Sequence, residues 1–142
     1  FIGDGPDRGR LESLAGDGPA AEQFRFTGAV NDVDLWLQQA DIAVRPSYTE
    51  GLPLAVLEAM SVGTCIVASA LPGTRELVVD RESGILFAPG DVAGLTDALR
   101  TTLVDAALRS RLGKAAHGRA QFFTWDRCLD RTVDAFAMAA RR

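Results

Sequence analysis

Two short runs of this chain, Ile42-Ala43-Val44 and Cys65-Ile66-Val67-Ala68, are apolar at every position, and between them residues 54–62 carry apolar side chains at helical spacing. A strand with one face in water alternates polar and apolar residues, whereas an uninterrupted apolar strand is covered on both faces, as in a parallel sheet flanked by helices. Strand, helix and strand in this order read as a βαβ unit. Around it, Phe24-Arg25-Phe26 reads as a short β-type run, residues 33–39 as a helix and Ile85-Leu86-Phe87 as a further strand after a turn over 80–84. The predicted class is α/β, a doubly wound, Rossmann-like parallel sheet. From Asp91 the pattern changes: Leu95, Ala98, Leu99, Thr102 and Leu103 recur at helical spacing, followed by helical stretches over 107–123 and 126–140. These predict C-terminal helices over about 91–140 packed on the sheet. With no internal repeat or linker, residues 1–142 read as one domain.

The composition narrows the function classes. At 142 residues, 47% hydrophobic and 24% charged, the chain suits an ordinary globular domain with a real core. A net charge of −4 argues against nucleic acid as a partner, because duplex binding draws on a basic surface that releases counterions. No run of about 18 apolar residues occurs, and the N-terminus lacks the basic start and apolar core of a signal peptide. Cys65 and Cys128 have no metal-ligand spacing, so a reduced, cytoplasmic setting is expected and no metal site. The opening on Phe1-Ile2-Gly3 rather than Met reads as a strand remnant in a fragment.

The chemistry concentrates in Ser47-Tyr48-Thr49-Glu50-Gly51-Leu52-Pro53-Leu54-Ala55-Val56-Leu57-Glu58, directly after the 42–44 strand. Open α/β sheets bind ligands at the C-terminal ends of their strands. Pro53 suits the first position of the following helix and Gly63 the position just past its end, which predicts a helix over 53–62. The N–H groups of Leu54 and Ala55, at the positive end of the helix dipole, form an anion site without any basic side chain. Glu58 lies one turn further on the same face, its side chain leaning back toward that site. Diphosphate at the helix start and a ribose diol on the carboxylate fit this arrangement. A solvent-facing carboxylate, or one paired with an arginine of the fold, fits Glu58 equally well, and a solvated loop acid fits Glu50. His117 stands alone in a helical region, where a surface role is the commoner one, and no Ser/His/Asp nucleophilic set is visible.

Glu50 and Glu58, framed as Pro-Ser-Tyr-Thr-Glu-Gly-Leu-Pro and Leu-Glu-Ala-Met-Ser-Val-Gly, closely resemble the donor-site motif of glycosyltransferase family 4, the group 1 enzymes of GT-B fold. Gly3-Asp4-Gly5-Pro6, Arg25-Phe26-Thr27-Gly28, Ala40-Asp41-Ile42, the 72–78 segment Pro-Gly-Thr-Arg-Glu-Leu-Val, Gly84-Ile85-Leu86-Phe87 and Phe123-Thr124-Trp125 follow in the family's order. The resemblance implies the C-terminal, nucleotide-sugar-binding lobe of a retaining hexosyltransferase that acts on a glycan or lipid-linked acceptor. It implies that Glu50 contacts donor-sugar hydroxyls near the reacting carbon and that Glu58 holds the ribose. Gly51, Leu52, Pro53, Leu54 and Ala55 would line the sugar and diphosphate through backbone groups. Gly3 and Gly5 would let the backbone approach the donor, and Phe26, Thr27 and Gly28 would flank the base. The donor, UDP-, GDP- or ADP-linked, is a substrate, and no cofactor or metal is expected.

The resemblance also implies a partner lobe that binds the acceptor, and a first strand-helix unit of the donor lobe with an Arg and a Lys for the diphosphate, neither of them in these 142 residues. The isolated chain is then expected to be inactive. Lipid-linked acceptors are common in the family, which leaves room for peripheral membrane association. Arg45 departs from the family's usual apolar strand end; it reads either as a cation near the phosphates or as an exposed strand terminus. A non-catalytic nucleotide-sugar-binding module is the alternative function. A sugar-nucleotide 2-epimerase is disfavoured by the spaced glutamates, and a dinucleotide dehydrogenase by the lack of Gly-x-Gly-x-x-Gly opening a helix.

Overall fold

The computed structural model describes residues 1–140; Arg141 and Arg142, the last two residues of the expected 1–142 domain, lie outside the described residues. The chain forms two compact units, Phe1–Trp36 and Leu37–Arg142.

In the first unit, helix α1 (Arg8–Gly16) was not foreseen, because its apolar residues Leu11 and Leu14 make no repeating stripe and none of its residues is buried. Arg8 donates from Nε to Glu12 Oε1 at 2.8 Å, one turn along. Phe24-Arg25-Phe26 is not a strand. The Phe1 amine donates to the Arg25 carbonyl at 2.6 Å, Thr27 N–H to that of Phe1 at 3.0 Å and Gly3 N–H to that of Gly28 at 2.9 Å. These bonds make a single bridge between Gly3 and Gly28, which is too little pairing to define strands on either side. Phe1 stacks on Phe26 with ring centroids 4.7 Å apart. Helix α2 (Val33–Gln39) has the predicted bounds.

The second unit holds a three-stranded parallel sheet in the order β1 (Ile42–Arg45), β2 (Cys65–Ser69), β3 (Ile85–Phe87). Ile42 pairs with Cys65 and Arg45 with Ala68, while Val67 pairs with Ile85. Every residue of β2 is buried, as its apolar run requires. The expected burial on both faces fails for β1, the edge strand, where Val44 is 42% exposed. Helix α3 (Leu54–Ser61) connects β1 to β2 and is one residue shorter at each end than predicted. Pro53 is its N-cap rather than its first residue, with ψ near 90° outside the helical range, and Val62 is the C-cap. Gly63 follows at φ +79°, the left-handed conformation that ends helices at low cost for glycine.

Helix α4 (Pro72–Leu77) lies between β2 and β3, followed by α5 (Val92–Val104), α6 (Ala106–Ala120) and α7 (Trp125–Ala139). Cys65, Val67, Ile85, Phe87, Ala98 and Leu112 make one core cluster joining the sheet to α5 and α6. Helix α6 approaches the end of α3 so closely that a Cβ on Gly113 would stand 2.1 Å from the Gly63 carbonyl oxygen. Helix starts are capped by side chains: Asp91 Oδ1 accepts from Gly94 N–H at 2.9 Å and Asp105 Oδ1 from Leu108 N–H at 2.8 Å. Helix ends are met by arginines. Arg109 donates to the carbonyls of Thr102 and Leu103 at 2.7 and 2.9 Å, and Arg119 to those of Leu77 and Glu76. The expectation that the whole helical tail packs on the sheet holds for α5 and α6 but not for α7, none of whose residues is buried. Among the described residues no helix is long and apolar enough to cross a membrane.

Candidate functional site

Strand β1 ends at Arg45, and the chain then turns through Pro46 to Pro53 before entering α3. This places the turn at the C-terminal rim of the sheet, where open α/β folds carry ligand sites. Within it Glu50 Oε1 accepts two bonds, from Arg45 Nε at 2.8 Å and from Ser47 Oγ at 2.7 Å. The Ser47 hydroxyl, then the hydrogen bond and charge of Arg45, hold the Glu50 carboxyl below the usual glutamate range against the upward push of partial burial. The Glu50 side chain is 15% exposed, so the expectation of a freely solvated loop acid does not describe it.

The turn is braced from behind. Gly73, the second residue of α4, sits so close to Gly51 that a Cβ there would come within 1.6 Å of the Gly51 carbonyl oxygen. Leu52 is exposed and Pro53 buried, so the turn is pinned at the helix entry and open at its tip. The first bonds of α3 run from Val56 N–H and Leu57 N–H to the Pro53 carbonyl, at 2.9 and 3.2 Å. The N–H groups of Leu54 and Ala55 lie ahead of that ladder on exposed residues, which is the geometry of an anion site at a helix start.

Glu58 is exposed on α3, so it faces solvent and the burial cost of an unpaired carboxylate does not arise. It borders a cavity of about 490 Å³ that is also lined by Leu54, His117, Phe123 and Trp125. His117 Nδ1 donates to the Ser61 carbonyl oxygen at 2.7 Å and lies at the surface, as its isolation in the sequence suggested. The sequence reading missed that His117 and the Phe123-Thr124-Trp125 segment come beside Glu58. The signal available was the break at 124–125 between the helical stretches over 107–123 and 126–140.

The structure thus brings Glu50, Gly51, Leu52, Pro53, Leu54, Ala55 and Glu58 together on one continuous turn and helix of the second unit. Gly3, Gly5, Phe26, Thr27 and Gly28 belong to the first unit. There Gly3 (φ +117°) and Gly28 (φ +70°) form their bridge, Thr27 Oγ1 donates to the Gly28 carbonyl at 2.9 Å, and Gly5 N–H donates to Asp4 Oδ1 at 2.8 Å. Both bridged glycines adopt conformations that other residues rarely take.

Comparison with known proteins fits this frame. Residues 1–119 match the family model described as glycosyl transferases group 1. A sulfoquinovosyl transferase of Arabidopsis thaliana is 39% identical over 130 residues, 88% of this chain and 25% of that protein. A D-inositol 3-phosphate glycosyltransferase of Streptomyces avermitilis is 35% identical over 136 residues, 93% of this chain and 29% of that protein. The chain therefore spans under a third of the length of these relatives. Among solved structures, sucrose-phosphate synthase of Thermosynechococcus elongatus superimposes with a TM-score of 0.85 at 30% identity, over 98% of this chain and 38% of that one. The Anabaena protein HepE in complex with UDP shares the fold, with a TM-score of 0.85 at 22% identity over 96% of this chain and 40% of that one. The parallel sheet and its helices match the C-terminal, Rossmann-like lobe of the GT-B fold. The chain belongs to the group 1 glycosyltransferases.

Proposed function

We propose that this chain is the donor-binding lobe of a retaining hexosyltransferase of family 4, which moves a sugar from a nucleotide diphosphate to a glycan or lipid-linked acceptor. The observation that carries the reading is the continuous arrangement of Glu50, the unladdered N–H groups of Leu54 and Ala55, and Glu58 one turn beyond them. A helix start with free amides suits a diphosphate, a carboxylate acceptor suits sugar hydroxyls, and both are in place before any ligand arrives.

In this reading the bond between the anomeric carbon and the diphosphate oxygen is replaced by one to the acceptor oxygen, with configuration kept. The negative charge that grows on the departing diphosphate meets the amides of Leu54 and Ala55, so stabilisation is electrostatic and preorganised. Glu50 accepts from donor-sugar hydroxyls and Glu58 from the ribose diol. Gly51, Leu52 and Pro53 line the donor through their backbone. The donor is a UDP-, GDP- or ADP-sugar, and neither a cofactor nor a metal takes part. The acceptor is held by a second lobe outside these residues, without which the chain does not transfer, and the work is done in the cytoplasm, with peripheral membrane contact where the acceptor is a lipid.

Calorimetric titration of the chain with UDP, GDP and ADP, repeated on Glu58→Ala, tests this. Loss of a charge-assisted hydrogen bond weakens binding by about 1.5–3 kcal/mol, roughly 10- to 150-fold. One nucleotide binding with that loss in the variant supports the ribose role and names the base. Equal binding by the variant, or no binding by folded protein, removes the donor-site reading.

A further inference from the structure

We propose that Arg45 is a positioning residue that sets the reach of Glu50 toward the donor sugar, an inference that rests on the donor-site reading above. Arg45 and Ser47 both bond to the same oxygen, Oε1, so one half of the carboxylate is fully engaged inside the turn. Oε2 accepts nothing among the described residues and is the oxygen left for a ligand hydroxyl. The two bonds together fix the rotation of the carboxylate, because a single bond to Oε1 would let the group swing about it. Arg45 reaches this position from the last residue of β1, five residues before Glu50, where the edge strand leaves its side chain 49% exposed. It is the one cation paired with Glu50 among the described residues. Of the two sequence alternatives for Arg45, a cation near the phosphates or an exposed strand terminus, the structure shows the exposed terminus, with its Nε donating to the Glu50 carboxylate. A guanidinium is suited to this task, since its planar donors hold an orientation that a flexible ammonium holds less well.

The arrangement separates sugar recognition from nucleotide recognition. Glu50 would touch only the sugar, so removal of Arg45 should disturb a nucleotide-sugar and spare the free nucleotide. Three forms of this chain decide the matter: unaltered, Arg45→Gln and Arg45→Lys, each titrated calorimetrically with UDP and with UDP-glucose, and each with the Glu50 carboxyl carbon followed by NMR as pH is lowered. In Arg45→Gln we expect UDP-glucose to bind at least about threefold more weakly, the order of one net hydrogen bond, with UDP unchanged and the Glu50 titration moved upward. Arg45→Lys keeps the charge and should recover part of both effects, which a merely structural role of the side chain would not produce. Equal weakening of both ligands, or an unmoved Glu50 titration in Arg45→Gln, overturns the proposal while leaving the donor reading intact. Failure of the unaltered chain to bind UDP, GDP or ADP or their sugars overturns the donor reading, and the titration still decides whether Arg45 governs Glu50.

Discussion

At the scale of single residues, the state of Glu50 follows from its partners rather than from its depth. Its carboxyl is held below the ordinary glutamate range by Ser47 and Arg45, so the folded state favours the anion more than the unfolded chain does. Such a group adds stability that is complete above the ordinary glutamate range and is lost as pH falls through the depressed folded value. Glu50→Gln should therefore flatten the acid limb of the stability curve relative to the unaltered chain, as chemical denaturation at a series of pH values below about 5 would read. The thiols differ for a related reason. Burial pushes the Cys65 thiol up, against a smaller pull from the Arg109 charge, while Cys128 stands exposed on α7. Because the thiolate is the reacting form, an alkylating reagent should label Cys128 in native protein and reach Cys65 only on unfolding, with mass spectrometry of the digest as the check. The motif told which residues to watch, Glu50 and Glu58, but not how they are held. The bonds from Arg45 and Ser47 depend on the turn folding back on the strand end, which spacing alone does not encode.

Among the elements, helices that follow an apolar stripe were readable and those without one were not. α5 announces itself through Leu95, Ala98 and Thr102 at helical spacing, the last two buried and Leu95 partly so, and α6 buries Leu112, Ala116 and Ala120 at the same spacing. α1 has no buried face, and α4 opens with Pro-Gly and is only six residues long, with its terminal carbonyls satisfied by Arg119 from a distant helix. A pairing forty residues away leaves no local trace. The single bridge at Gly3 and Gly28 explains the missing strands in the same terms, since extended residues become a strand only with a partner along their length. The two aspartate caps carry measurable weight. Asp91→Ala and Asp105→Ala should each lower unfolding free energy by about 1 kcal/mol, and together by nearly the sum, because the caps serve different helices and share no partner.

At the scale of the whole molecule, the α/β order and the parallel sheet were legible because β2 is apolar throughout and flanked by helical periods. Burial across β1 and packing of α7 were not, because an apolar residue in sequence does not reveal whether anything covers it. On α7 the large side chains of Trp125, Leu129, Val133 and Phe136 are all exposed. Stability in such a molecule is uneven: elements with few buried contacts open at little cost, whereas the core opens only with global unfolding. Amide hydrogen exchange should find α7 losing protection well before α6, whose Leu112, Gly113, Ala116 and Ala120 are buried against the rest of the unit. Comparable protection in the two helices would contradict this ranking.

The contact between Gly51 and Gly73 is main chain against main chain, and this decides what kind of variation the turn between β1 and α3 can explore. Side chains grade a contact in small steps, from alanine upward, but here the first step is already a collision 1.6 Å from an oxygen. In a saturation library selected for folded protein, position 73 should return glycine almost without exception, while the exposed Leu52 drifts freely. The height of the turn over the sheet is thus inherited as a constant, and diversity has to be written in the residues around it.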